Sequence, residues 1–333
     1  MKWAVPLLLM ALAGCVDGSD PVPTDAPPSE ESCPWDGEQT LYLGPNLGLH
    51  VEPQSDGRTP GNGFAEAFLT NELDEWTIGP FEHDVRVGGN ATLTFWSEGN
   101  AMPAPIVIGG APGEGYHFFN QLGTDRGFIE SYAIEYAAAI GDTSVTQFDE
   151  VFQMPAGGLV IEAGDTLRLL LTNLVLDDAN GDGPDILWGD AYPSALRLSM
   201  SCIEARDWMV THEEQSPLSI PFHHGLLTGA VPATQDINYQ DVAFTLHNTT
   251  DRLTIRMEQT STTNPLKDDM DINVLDATGA QVWSIGSPYS DEVGTLWREN
   301  LGHMPPGAYT VRVNSYSGHA YEGRLTVTQE ALA

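Results

Sequence analysis

Basic residues are scarce in this sequence. Thirteen Lys and Arg stand against 47 Asp and Glu over 333 residues, a formal charge of −34. A phosphate backbone needs a basic footprint that so few cations could hardly assemble, which excludes nucleic-acid binding. A cationic helix lying on a membrane surface is excluded for the same reason. Long hydrophobic runs are missing too: Val5–Leu12 is well below the ~20 residues of a permanent transmembrane helix, and no other apolar stretch approaches that length. Catalytic signatures are also missing. There is no Gly-x-Ser-x-Gly elbow, no P-loop and no dinucleotide fingerprint. With 47 carboxylates, no glycosidase acid pair can be singled out from spacing alone. The acid excess fits a soluble, self-repelling extracellular surface, or one that holds divalent cations. The length suffices for two domains with their own cores.

The first segment reads as an address. Lys2 supplies a minimal positive start, Val5–Leu12 the apolar core, and Leu12-Ala13-Gly14-Cys15 closes it. This resembles the bacterial lipoprotein signal, in which Cys15 is lipidated and becomes the mature N-terminus after residues 1–14 are removed. The resemblance implies a protein anchored to the cell envelope by more than one acyl chain. Val16, rather than Asp, after the cysteine is compatible with the outer membrane or cell surface. Residues 15–32, the lipidated cysteine and a segment with four prolines and many acids, cannot form a core. They read as a tether that, at ~3.1 Å per residue, reaches up to ~50 Å. Cys33 and Cys202 remain. Export is an oxidising route, so a disulfide is the expected state, with a metal or catalytic pair as the alternative.

The rest is read as all-β, two β-sandwich domains in tandem with jelly-roll character. In residues 33–203, Ala91, Leu93 and Phe95 alternate with Thr92 and Thr94, and Leu167, Leu169 and Leu171 repeat the period of two. Phe128–Ala139 fits neither period cleanly and is expected to be a strand from its Tyr and Ile content. A short helix is allowed near residues 63–72. Residues 204–217 are expected to be a linker. In residues 218–333 the alternation is cleaner, as in Leu253, Ile255, Met257 and in Tyr309, Val311, Val313.

Two further resemblances follow from these strands. Gly79 to Ser97, with Val85-Arg86-Val87-Gly88 leading into Ala91-Thr92-Leu93, and Ala163-Gly164-Asp165-Thr166-Leu167-Arg168-Leu169 look like strands of galactose-binding-like jelly rolls, such as the C-terminal domain of X-Pro dipeptidyl peptidases. Asp269 to Gly279, followed by Pro306-Gly307-Ala308-Tyr309-Thr310-Val311-Arg312-Val313, resembles the bacterial pre-peptidase C-terminal domain. The two imply sandwiches and an accessory or binding role, not a peptidase activity.

Candidate chemistry is sparse. Asp178, Asn180 and Asp182, followed by Gly183, match the first half of a calcium loop, with Asp185 or Asp190 to replace its missing anchor, since hard Ca²⁺ requires several oxygen ligands on one turn. The loop's twelfth position is Gly189 rather than Glu, and the same residues equally suit a solvated acidic turn. Asp268, Asp269 and Asp271 form a second, weaker acidic group. His212-Glu213-Glu214-Gln215-Ser216 begins like a zincin motif and ends without its second histidine, and adjacent His223 and His224 point to opposite faces of an extended chain. Trp96, Tyr116, His117, Phe118, Phe119 and Trp188 suit either a sugar-stacking surface or core packing, the commoner use of large aromatics; Trp283 and Trp297 are expected in the core.

The expectation is therefore a non-catalytic, lipid-anchored envelope protein that binds a carbohydrate or protein ligand, with calcium as the one cofactor in view. Two alternatives remain: an accessory protein or degenerate relative of secreted hydrolases, and a structural or adhesion protein.

Overall fold

Period-two alternation becomes pairs of antiparallel sheets. The computed structural model describes residues 33–62, 75–98, 116–136, 144–173, 182–221, 239–260, 270–286, 291–315 and 320–333. The first sandwich contains β1 (Gly37–Leu43), β2 (Leu49–His50), β3 (Gly57–Asn62), β4 (Glu75–Ile78), β5 (Val85–Glu98) and β6 (Tyr116–Thr124). It continues with β7 (Gly127–Tyr136), β8 (Val145–Gln153), β9 (Leu159–Ile161), β10 (Leu167–Asn173), β11 (Asp182–Trp188) and β12 (Ala195–Cys202). One sheet runs β2-β1-β12-β5-β11-β3, with β8 and β9 also pairing with β5; the other runs β4-β10-β6-β7. The long β5 is the spine: its start pairs with β9 and its remainder with β8.

The expected inward residues are inward. Ala91, Leu93 and Phe95 of β5 and Leu167 and Leu169 of β10 are fully buried, against Trp76, Phe152 and Leu122. Burying each large side chain contributes about 1.5–3 kcal/mol, which is what holds two half-apolar sheets face to face. Leu170 departs from simple alternation and is also fully buried, so both sides of β10 are covered. Of the segment that fitted neither period, residues 128–136 belong to β7, and residues 137–139 lie outside the described residues.

The second sandwich contains β13 (Trp208–Ile220), β14 (Tyr239–Leu246), β15 (Arg252–Gln259), β16 (Met270–Leu275), β17 (Gln281–Gly286), β18 (Glu292–Trp297), β19 (Gly307–Ser315) and β20 (Tyr321–Leu332). Its sheets run β13-β20-β15-β18 and β14-β19-β16-β17, enclosing Leu253, Ile255, Met257, Ile272, Val311 and Val313. The expected linker is corrected here. Its residues from Trp208 onward are strand β13, paired with β20 from Trp208 opposite Leu332 to Ile220 opposite Tyr321. As a sheet edge it is largely solvent-facing, so its composition is polar, and Pro217 is tolerated where no inner ladder is interrupted. The expected short helix near residues 63–72 lies outside the described residues.

Trp35–Ala333 forms one compact unit holding both sandwiches. Ile203–Asp207 connects them and is fastened by Asp84, whose carbonyl accepts the Ile203 N–H at 2.9 Å and whose carboxylate accepts the N–H groups of Arg206 at 3.2 Å and Ala163 at 2.8 Å. Cys33 and Cys202 are both disulfide-bonded.

Candidate functional site: a cleft at the seam of the two sandwiches

The β6–β7 hairpin and the β8–β9 turn of the first sandwich face β17, β18 and the following helical turn, Arg298–Leu301, of the second. They enclose a cleft of about 440 Å³, within the ~300–1,000 Å³ range of small-molecule sites.

Local sequence shapes each wall. In the hairpin, the Arg126 N–H donates to Thr124 Oγ1 at 3.1 Å, and Gly127 takes φ +118°, a conformation L side chains rarely adopt. That turn lies directly on β18: a Cβ at Gly127 would sit 2.1 Å from the Val293 carbonyl oxygen. On the opposite wall Gly294 clears the way for Trp283, since a Cβ there would lie 2.8 Å from Trp283 Cζ2. Phe128, Trp283 and Trp297 give the cleft its aromatic character. Trp297 is almost wholly buried and donates its indole N–H to Glu162 at 3.3 Å.

The charged groups around the cleft are paired with one another. Arg126 reaches Asp165 at 2.6 Å and Glu162 at 2.8 Å. Glu299 is bound by Arg206 at 2.6 Å and Arg86 at 3.0 Å. Partial burial acts to raise the Glu299 carboxyl, but the hydrogen bond from Arg206 and the two cations outweigh it and hold it below the usual range. Asp165 moves the other way: burial raises it against the opposing pull of Arg126. Behind them Arg252 of β15 joins Glu162 at 2.6 Å and Glu330 at 2.8 Å, and lies 4.4 Å over the Trp208 ring. Asn300 and His303 stand outside these ion pairs. Asn300 is 8% exposed and its Oδ1 has no hydrogen-bond partner among the described residues.

Apart from Trp283 and Trp297, none of the residues singled out from sequence is among the cleft's lining residues. Cys15, Asp178 and Asn180 lie outside the described residues, as do Asp268, Asp269, His223 and His224. Asp182 and Gly183 of β11 pair with Asn62 and Gly61 of β3, and the register shifts between Gly183 and Ile186. Asp185 is engaged by Arg58 at 3.0 Å. Among the described residues no group of three or more His, Cys, Asp or Glu is placed to hold a metal. His212 stacks on His247, ring centroids 3.6 Å apart. The aromatic surface suggested for the first domain is not assembled from the described side chains: Trp188 is in the core, and Trp96 lies against Tyr192 at 5.8 Å. Tyr116–Phe119 lie on β6. Trp283 and Trp297, expected only in the core, line the cleft. No periodic signal marks them for that role, because the cleft exists only where two sandwiches meet.

No protein-family model matches the chain, and no curated protein matches it. Among solved structures, the chain is similar to a CocE/NonD family hydrolase from Staphylococcus aureus, at 14% identity over 49% of this chain and 36% of that one, with a TM-score of 0.37. It is similar to a tandem CBM22 domain from Paenibacillus barcinonensis, at 10% identity over 74% of this chain and 79% of that one, with a TM-score of 0.20. It is also similar to the major capsid protein P2 of bacteriophage PM2, at 9% identity over 89% of this chain and 98% of that one, with a TM-score of 0.26. The match spans about a third of the hydrolase's length. At these scores the likenesses carry no functional argument.

Proposed function

We propose that the chain is an exported, lipid-anchored, non-catalytic binding module of the cell envelope, and that the cleft at the seam is where it takes its ligand. The observation that carries this reading is the cleft itself: an aromatic-lined concavity between two sandwiches, with Asn300 as a buried, uncommitted acceptor. Pockets of this kind, mostly apolar with few convergent polar groups, are the usual form of small-ligand sites. The non-catalytic reading is supported by the engagement of Arg126 and Glu299 in ion pairs within the protein, which assigns both to holding the walls. The anchor is supported by Leu12-Ala13-Gly14-Cys15 and the acidic, proline-rich segment behind it.

Two measurements test the parts separately. In a bacterial host, Cys15→Ser is expected to abolish fatty-acid labelling and move the protein from the detergent to the aqueous phase; unchanged partitioning would remove the anchor. For the module, saturable perturbation of Trp283 by a ligand recovered chemically intact is expected. A ligand recovered cleaved would replace the binding module with an enzyme.

A further inference from the structure

The cleft specifies more than that something binds. Its aromatic side chains, Phe128, Trp283 and Trp297, favour a ligand with a broad apolar face. Its guanidinium and its carboxylate are already neutralised, Arg126 by Glu162 and Asp165, and Glu299 by Arg86 and Arg206, which leaves His303 as the remaining ionisable group of the lining. A charged ligand would have to break one of these pairs or enter without a counter-charge, and an anion would also meet a chain of formal charge −34. Asn300 Oδ1, on a side chain more than nine-tenths buried, lacks a donor. A buried acceptor left unsatisfied is costly, and a ligand O–H or N–H that reaches it recovers that cost on binding. The acceptor also lies beside the Gly157 backbone: a Cβ on Gly157 would come 3.2 Å from it. Both walls of the seam therefore meet at Asn300.

We infer that the cleft takes a neutral saccharide, one sugar face against Trp283 and one hydroxyl donating to Asn300 Oδ1. The inference rests on the binding-module reading and adds the ligand's chemical class. An uncharged sugar ring combines the required features: an apolar C–H face, hydroxyl donors and no net charge.

The test titrates the full chain with methyl glycosides of glucose, galactose, mannose and N-acetylglucosamine and with cellobiose. Glucuronate serves as the anionic probe and a glycyl-tyrosine dipeptide as the peptide probe. The readout is the Trp283 indole N–H resonance, assigned by its loss in Trp283→Phe. At least one neutral glycoside is expected to shift that resonance saturably. Asn300→Leu, close in volume but lacking the acceptor, is expected to weaken binding about tenfold or more. Should Asn300→Leu fail to fold, the glycoside titration of the unaltered chain still decides the matter. Perturbation by glucuronate or the dipeptide alone overturns the saccharide and leaves the binding module standing. No shift of Trp283 with any probe overturns both.

Discussion

Arg252 and Glu162 belong to different sandwiches, yet their side chains meet at 2.6 Å with less than a tenth of each exposed. Glu162 follows β9, just before the turn that leads to β10, and Arg252 opens β15, 90 residues further along the chain. Arg252 also holds Glu330, while Glu162 also holds Arg126 at the mouth of the cleft. A chain of alternating charges thus runs from the second sandwich to the cleft. Desolvating these groups is expensive and is offset only because each is hydrogen-bonded by its partners. The arrangement fixes how the sandwiches meet, and so fixes the cleft.

Arg252→Met is expected to be among the most damaging single substitutions in the chain. It would leave Glu330 buried without its cation and Glu162 with Arg126 alone, and a buried charge stripped of its partner costs about 3–5 kcal/mol. Urea denaturation should show a lower midpoint. Adding Glu330→Gln to Arg252→Met should recover part of the loss, because it removes one stranded charge. A loss below about 1 kcal/mol would mean that the pair is solvated, like an ordinary surface bridge.

This seam explains what the sequence could and could not disclose. Ala91, Leu93 and Phe95 announce a strand because the pleat makes every second side chain share a face, and such local periodicity is readable. Strand β13 was not readable: an edge strand exposes most of its residues, so Thr211-His212-Glu213-Glu214-Gln215 has the composition of a linker. Ala163-Gly164-Asp165-Thr166-Leu167 reads as part of a jelly-roll strand, and in the structure Glu162 to Asp165 is the turn that leads into β10. That its two acids also organise the interface depends on Arg126 and Arg252, distant in sequence and without any shared period. Trp297 satisfies the core expectation and still lines the cleft, two roles that composition alone does not separate.

Stability is expected to fall as pH rises from about 4.5 to 8, in part through Glu150. Burial pushes its carboxyl up to about 7 from 4.5, although the hydrogen bond from Asn120 pulls the other way. In that window the folded chain keeps a proton that the unfolded chain has released, so raising the pH favours unfolding. The full contribution is up to about 3 kcal/mol, and it is absent below pH 4.5. Glu150→Gln should therefore match the unaltered chain near pH 4 and exceed it in stability at pH 8. The amide retains an acceptor for Asn120 and gains a donor for Asn120 Oδ1, which has no partner among the described residues. Equal unfolding midpoints at pH 8 would show that Glu150 ionises normally.

Asp271 of β16 should behave in the same direction over a lower range. Burial alone raises it to about 6 from 3.8, so its ionisation opposes folding progressively between pH 4 and 7. Asp271→Asn is expected to be stabilising at pH 8, by up to about 3 kcal/mol, and neutral near pH 4. Thermal unfolding of the two single variants and the double variant separates the contributions. Side chains so placed on separate sandwiches should add, and strong non-additivity would mean that the two carboxyls respond to one common opening.

Gly127→Ala tests the contact that closes the cleft. At φ +118° a side chain is strained on any account, by about 1–2 kcal/mol. The new Cβ would also stand 2.1 Å from the Val293 carbonyl oxygen, a backbone atom that cannot rotate away. Either the hairpin lifts from β18 or β18 bends. Lifting is opposed by the neighbouring Arg126, held to Glu162 and Asp165, so the strain cannot be relieved without loosening those pairs. A total loss of about 2–4 kcal/mol is expected from strain and overpacking together. Gly88→Ala is the control: a Cβ there meets nothing within 4 Å, and its unfolding midpoint should hardly move. If Gly127→Ala proved as neutral as Gly88→Ala, the hairpin would not rest on β18 in solution, and the cleft would lose the wall that separates it from solvent.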